Sequence, residues 1–427
     1  MDYVELDILS NGMNGEGISK KDGKVYFVDG AIQGEKVNAE IIKNNKNFSI
    51  AKLDKIIVES KLRCTPKCKY FGDCGGCNLQ HILYNQQLVI KKQNVQNLFN
   101  KHHINFDVLD CEKSQEYCYR NKLTLYLNKN NCLCFYKKNS KELVEINNCL
   151  LVNNDFNNLI KLINIFLKTN KEYNSFILKG ITIRQINNNF IINLIVTKKI
   201  NLLKLQNYLK LNKINYALYY CINDMKNSNI PMYPCIFSDG DSDIFIEEFG
   251  IKYPVYPMSF LQVNFDIKKI IYNKIISFVN GKNYVLDAYS GAGLLSAILA
   301  KHNKNVIAVE IDKSASKACE VLCEINNITN IKNICGDCKV ELPNLFNKTS
   351  FDFVVLDPAR SGVDRKILET IIESKVKNVA YLSCNPATLT RDLEILQNGG
   401  YRIDFAKPYD MFPQTSNVET LVILSYN

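Results

Sequence analysis

The chain has 427 residues, 46% hydrophobic and 22% charged, an ordinary globular balance with room for two or three domains. No run is long and apolar enough to span a membrane, and MDYVELDILS has no basic leader before an apolar segment, which points to the cytoplasm. Nearly all of the net charge of +10 lies before residue 256; the front of the chain is expected to meet a polyanion, a merely solubilising lysine surface being the plainer account.

Residues 1–58 alternate apolar and polar positions in the runs YVELDIL, KVYFVDG, EKVNAEII and IAKLDKII, with turn residues such as Asn14-Gly15 between them. Short strands with turn signals predict a small β-barrel. With this charge it suits oligonucleotide binding, the alternative being a spacer. Next come Cys68, Cys74 and Cys77 in CKYFGDCGGC. Two thiols spaced Cys-x2-Cys, with glycines between, can face one metal centre. In a cytoplasmic chain with 16 cysteines, metal ligation or catalysis is expected before a disulfide framework. Residues 82–100 have helical spacing. Residues 117–255 mix strands (LTLYL, CLCFYKK, FIINLIV) with a helix near 155–168.

Residues 256–427 alternate strands and helices, the pattern of a parallel sheet. The strand 283–287 runs into the glycine turn AYSGAG, and a helix follows. Such a turn admits a ligand close to the backbone at a helix N-terminus. A second strand ends in Glu310, an acid placed to bind two ribose hydroxyls. Others end in Asp357, within DPARSG, and in Cys384, within YLSCNPATLT. The ends at Asp287 and Tyr289, Glu310, Asp357 and Cys384 share one sheet edge, where open α/β sheets keep their chemistry. Glu419 opens the final strand after DMFPQTSNV and is a candidate base, a solvated glutamate being the plainer account. Cys319 and Cys323 on one helix face, and Cys132 and Cys134 on one strand face, read as packing.

These stretches together resemble the S-adenosylmethionine-dependent RNA uracil-5-methyltransferases: SFLQVN (259–264), VLDAYSGAG, VVLDPARSG, YLSCNPATLTRDL and DMFPQTSNVET. The front barrel resembles a TRAM domain, and the cysteine loop resembles the iron–sulfur site of many members. The likeness covers nearly the whole chain. It implies an OB-like β-barrel over 1–59, an α+β central domain with a metal cluster over 60–255, and an α/β Rossmann-like methyltransferase domain over 256–427. Helix 82–100 would pack on the last of these. By the same resemblance, Gln262, Tyr289, Glu310 and Asp357 hold S-adenosylmethionine, Cys384 is the nucleophile and Glu419 the base. Cys149 joins Cys68, Cys74 and Cys77 as the fourth ligand of a 4Fe–4S cluster. Spacing alone leaves zinc open, and Cys64 is a spare ligand. The implied partner is RNA, 23S ribosomal RNA first and transfer RNA as the alternative, with a monomeric chain and no membrane. Leu261, where an aromatic is commoner, and Asn417, where histidine is commoner, depart from the pattern.

Carbon 5 of uracil is too poor a nucleophile to take a sulfonium methyl group. Adding a thiolate at carbon 6 makes it an enolate carbon, which divides one hard step into two. The four histidines, at 81, 102, 103 and 302, lie far from Cys384 in sequence; activation is expected from backbone dipoles, the following helix or the cofactor's charge. Competing readings are a cytosine-5-methyltransferase, an amino-group methyltransferase needing no cysteine, and a non-catalytic RNA-binding scaffold.

Overall fold

The computed structural model describes residues 2–223 and 235–426. At the front, β1 (Tyr3–Asp7), β2 (Ser10–Asn11), β3 (Gly17–Lys21), β4 (Lys24–Asp29), β5 (Lys36–Asn44) and β6 (Phe48–Val58) form one sheet, ordered β1-β5-β6-β4-β3-β2. It curls until β1 lies against β3. Alternation along the strands turns Leu6, Val37, Ala39 and Ala51 inward to a small core.

Helix α1 (Tyr84–Lys101) belongs to the front by sequence and to the rear by packing. Its Val95 and Phe99 are buried in the same core as Leu286, Val354 and Val422 of the rear sheet. Lys91 on α1 forms a fully buried ion pair with Asp410, and Tyr84 donates to the other Asp410 oxygen at 2.8 Å. Bringing two charges out of water is costly, so the pair must form as the two parts dock.

The central sheet contains β7 (Lys122–Leu127), β8 (Leu133–Tyr136), β9 (Leu143–Glu145), β10 (Leu178–Ile186), β11 (Asn189–Val196), β12 (Tyr216–Ile222) and β13 (Ile236–Gly240), ordered β13-β12-β11-β10-β7-β8-β9. One face packs on α2 (Asn154–Thr169) and α3 (Leu203–Leu211) through Leu125, Ile183, Ile192, Phe156, Ile160 and Leu209. The other face carries Lys122, Thr182, Arg184 and Asn193, which are polar; Arg184 Nη2 donates to Ser259 O at 2.7 Å. The hairpin β14 (Phe245–Glu248) and β15 (Ile251–Pro254) leads to α4 (Phe265–Val279).

The rear sheet alternates β16 (Tyr284–Ala288), α5 (Leu294–His302), β17 (Asn305–Glu310), α6 (Lys313–Ile325), β18 (Ile331–Cys335), α7 (Cys338–Phe346), β19 (Phe353–Leu356), α8 (Arg365–Glu373), β20 (Asn378–Ser383) and α9 (Pro386–Asn398) before β21 (Tyr401–Tyr409) and β22 (Glu419–Tyr426). Its order is β18-β17-β16-β19-β20-β22-β21, with β22 antiparallel to both neighbours. Helices cover both faces, so its inner strands are continuous apolar runs such as Phe353–Leu356. Strand order reverses between β16 and β19, which opens a crevice at their carboxyl ends. β17, β16, β19 and β20 are consecutive in space, because β18 goes to the edge. Their ends at Glu310, Asp287, Asp357 and Cys384 therefore stand side by side. Among the described residues no helix is long and apolar enough to cross a membrane.

Candidate active site

The turn after β16 is built around three left-handed residues, Tyr289 (φ +68°), Gly291 (+55°) and Gly293 (+82°). Gly293 opens α5 hard against α6: a Cβ there would stand 2.3 Å from Cys319 Sγ. Glu310 stabilises the turn from β17, one oxygen accepting the Gly291 N–H and the other the Asp312 N–H, both at 2.8 Å. Asp287 is buried, accepts from Ser296 Oγ at 2.5 Å and is pushed up to about 7, chiefly by burial. The turn suits a nucleoside. A Cβ on Gly291 would meet nothing within 4 Å, Ser290 Oγ is buried without a partner, and Ile311 stands 65% exposed beside Glu310.

Gln262 is buried in the loop 259–264, which the central sheet holds in place. Asn121 donates its amide to Gln262 O at 3.1 Å and its backbone N–H to Val263 O at 3.2 Å. Leu261 is buried in a core shared by the central and rear sheets.

Cys384, just past β20, is half-buried. Glu419, the first residue of β22, is only 3% exposed, so it is not the solvated edge glutamate of the plainer reading. Ser383 pairs with Thr420, which brings the thiol and the carboxyl to the same end of adjacent strands. Burial pushes the Cys384 thiol up, the charges of Glu419 and Asp357 add to this, and Arg360 opposes it by charge and by hydrogen bonding. Glu419 is raised well above the carboxylate range by burial and by Asp357, again against Arg360. Asp357 itself is pushed up to about 7, by burial first and Asp287 second.

Arg360 is the residue missed by sequence reasoning, which expected no side-chain cation at the thiol. Its place is set by a clamp between two loops. Arg360 O accepts from Asn385 Nδ2 at 2.9 Å and from Thr388 Oγ1 at 3.3 Å, and Arg391 Nη2 donates to Ser361 O and Val363 O. The clamp leaves no room at Gly362 (φ +79°), where a Cβ would sit 2.6 Å from Asp392 Oδ2. DPARSG thus hinted at the position, while the partners that fix it lie 25 and more residues away.

Cys68, Cys74, Cys77 and Cys149 line one groove of about 1460 Å³, shared with Phe48 and Lys52 of the barrel, Lys122 and Tyr136 of the central sheet, and Asn417 beyond them. Burial pushes Cys77 up to about 12 and Cys149 to about 11, and each feels the charge of Cys68 and Cys74. Among the described residues, no group of three or more His, Cys, Asp or Glu side chains is arranged to hold a metal ion. Cys64 lies outside this groove and points at Gln80 O at 3.4 Å.

The family model described as tRNA (uracil-5-)-methyltransferase matches residues 83–427, and the TRAM domain model matches residues 2–53. The chain is 35% identical to an uncharacterized RNA methyltransferase of Clostridium acetobutylicum, across 99% of this chain and 96% of that one. It is 34% identical to another from Listeria innocua, across 99% and 97%. Among solved structures, the tRNA (uracil-54, C5)-methyltransferase of Pyrococcus abyssi in complex with S-adenosyl-L-homocysteine aligns with a TM-score of 0.80, covering 98% of this chain and 99% of that chain. At 24% identity that likeness is one of fold.

Proposed function

The chain belongs to the tRNA (uracil-5-)-methyltransferase family with an N-terminal TRAM domain, and from that premise we propose that it methylates carbon 5 of a uridine in RNA through a covalent bond between Cys384 and the pyrimidine. The observation that carries this reading is the convergence of Cys384, Glu419, Asp357 and Arg360 at one end of adjacent rear strands.

S-adenosylmethionine, when bound, supplies an electrophilic methyl group. The open turn at Gly291, the orphaned Ser290 hydroxyl and the Glu310 carboxylate would hold its nucleoside, with Ile311 against the base and Tyr289, Gln262 and Asp357 along the rest. Cys384 adds its sulfur to carbon 6 of a uracil taken out of its stack. The ring becomes an enolate, and carbon 5 accepts the methyl group. Glu419 then removes the proton left on carbon 5, the carbon–sulfur bond breaks and the double bond returns. A carboxyl raised by burial is the stronger base, which suits a carbon acid. Arg360 offsets part of the cost of a thiolate and a carboxylate side by side. Cys384 and Glu419 have no role in an amino-group transfer, and an inert scaffold has no need of a buried carboxyl there.

We assign Cys68, Cys74, Cys77 and Cys149 as the ligands of a 4Fe–4S cluster. The donor set is all sulfur, and the buried thiols need a positive centre to become thiolates. One zinc ion on the same four thiols is the alternative. Methyl transfer needs no electron, so the cluster's part is structural or to position the RNA. Iron and acid-labile sulfide assays on anaerobically purified protein should find about four of each per chain; metal without sulfide would mean zinc.

The barrel and cysteine loop support 23S ribosomal RNA as the substrate, in the cytoplasm. The description of the matching family keeps transfer RNA as the second reading, and mapping 5-methyluridine in RNA from a deletion strain decides between them. The covalent step is tested with RNA bearing 5-fluorouridine at the target. Fluorine cannot leave as a cation, so the methylated adduct should persist through denaturing electrophoresis, require the methyl donor and vanish in Cys384→Ala. Free RNA in every lane would refute the covalent step.

A further inference from the structure

Asn78 directly follows Cys77 and touches two other parts of the chain. Its Nδ2 donates to Asn14 O of the barrel at 2.6 Å and to Ser416 Oγ at 3.0 Å. Its Oδ1 accepts the Ser416 N–H at 2.8 Å, so the amide grips Ser416 from both sides. The backbone N–H groups of Asn78 and Leu79 both donate to Gln414 O at 3.1 Å. Ser416 lies three residues before Glu419.

The segment 410–418 has no helix or strand of its own. Its shape must therefore come from outside partners. Gln414 shows the demand most clearly: it is 1% exposed and held at φ +70°, a costly conformation for a residue with a side chain. Gln87 of α1 grips it from the other side, accepting the Gln414 N–H at 3.2 Å and donating to Gln414 Oε1 at 3.0 Å. Tyr119 adds a hydrogen bond to Pro413 O at 3.0 Å. α1 thus fixes one end of the segment, while the end nearer Glu419 depends on Asn78.

We infer that Asn78 is a positioning residue, which registers the segment 414–418 against the cysteine loop and so fixes the Glu419 carboxylate relative to Cys384. The inference rests on Glu419 being the base. An aspartate at 78 keeps the acceptor but loses both donated bonds; an alanine loses all three. A displaced base slows proton removal from carbon 5 and leaves the earlier bond formation alone. The enzyme should then stall as the methylated covalent adduct.

The test compares Asn78→Ala, Asn78→Asp, Ser416→Ala and Glu419→Gln in the full chain, on unmodified target RNA with S-adenosylmethionine. Asn78→Ala should lower kcat by about tenfold to a hundredfold, as misplaced catalytic groups do, with KM for the methyl donor within about twofold. Like Glu419→Gln, it should accumulate a protein–RNA adduct on denaturing gels. Asn78→Asp should fall between Asn78→Ala and the parent. Ser416→Ala, which removes one bond only, should show a smaller loss with the same adduct, and it serves if Asn78→Ala does not fold. Adduct from Glu419→Gln with none from Asn78→Ala or Ser416→Ala overturns the positioning role and leaves the function standing. No adduct from Glu419→Gln overturns Glu419 as the base and the positioning role with it, while the covalent step stands or falls by the 5-fluorouridine test.

Discussion

Burial and the charges of Glu419 and Asp357 hold the Cys384 thiol above its ordinary range, and Arg360 draws it down. In the proposed mechanism Cys384 and Glu419 both work deprotonated, and both are raised, so activity should rise with pH and still be rising above the ordinary thiol range, with no falling limb below it. Replacing Arg360 with alanine should move that climb to higher pH and cost on the order of tenfold to a hundredfold in rate; an unmoved profile would remove Arg360 from this role. The stability profile has the opposite slope. Asp287 and Asp357 titrate near 7 in the fold, against about 3.9 in an unfolded chain. The folded state therefore binds more protons between those values, and its stability should fall as pH rises from about 4 to 7 in denaturant titrations. The positions of Cys384 and Glu419 could be read from residue type and neighbours. The burial of Glu419 could not, since it depends on β22 lying between β20 and β21.

At the level of elements, the parallel strands of the rear were easy to read, because runs such as VIAV and FVVL are apolar on both faces and end in polar residues. β10, β12 and α3 were not anticipated. β10 does alternate through Ile181-Thr182-Ile183-Arg184, so its signal was legible, and only the burial of Thr182 and Arg184 on its polar face was not; α3 is only nine residues long. The clamp on Arg360 and the grip of Asn121 on the loop 259–264 join segments far apart in sequence, and local pattern carries no trace of them. Gly293 offers a sharp test of the glycine turn. Alanine there meets Cys319 at 2.3 Å in a left-handed backbone, so Gly293→Ala should cost about 2–4 kcal/mol in urea unfolding. It should also weaken S-adenosylmethionine binding by calorimetry.

For the whole molecule, the charge excess before residue 256 and a groove lined by Lys52, Lys122, Phe48, Tyr136 and Asn417 give the proposed RNA a cationic path toward the Glu419 end of the rear sheet. RNA affinity should therefore drop steeply with salt, and the slope of log K on log salt should lessen by about 0.7 for each of Lys52 and Lys122 changed to alanine. An unchanged slope would place the RNA elsewhere. The packing of α1 on the rear sheet has a practical side for anyone moving this fold between proteins. The family match starts at residue 83, at the helix itself. A graft cut at residue 256 would leave Asp410 buried without Lys91 and bare the apolar bed beneath Val95 and Phe99. The transplantable cassette is discontinuous, one helix and one sheet separated by the whole central domain.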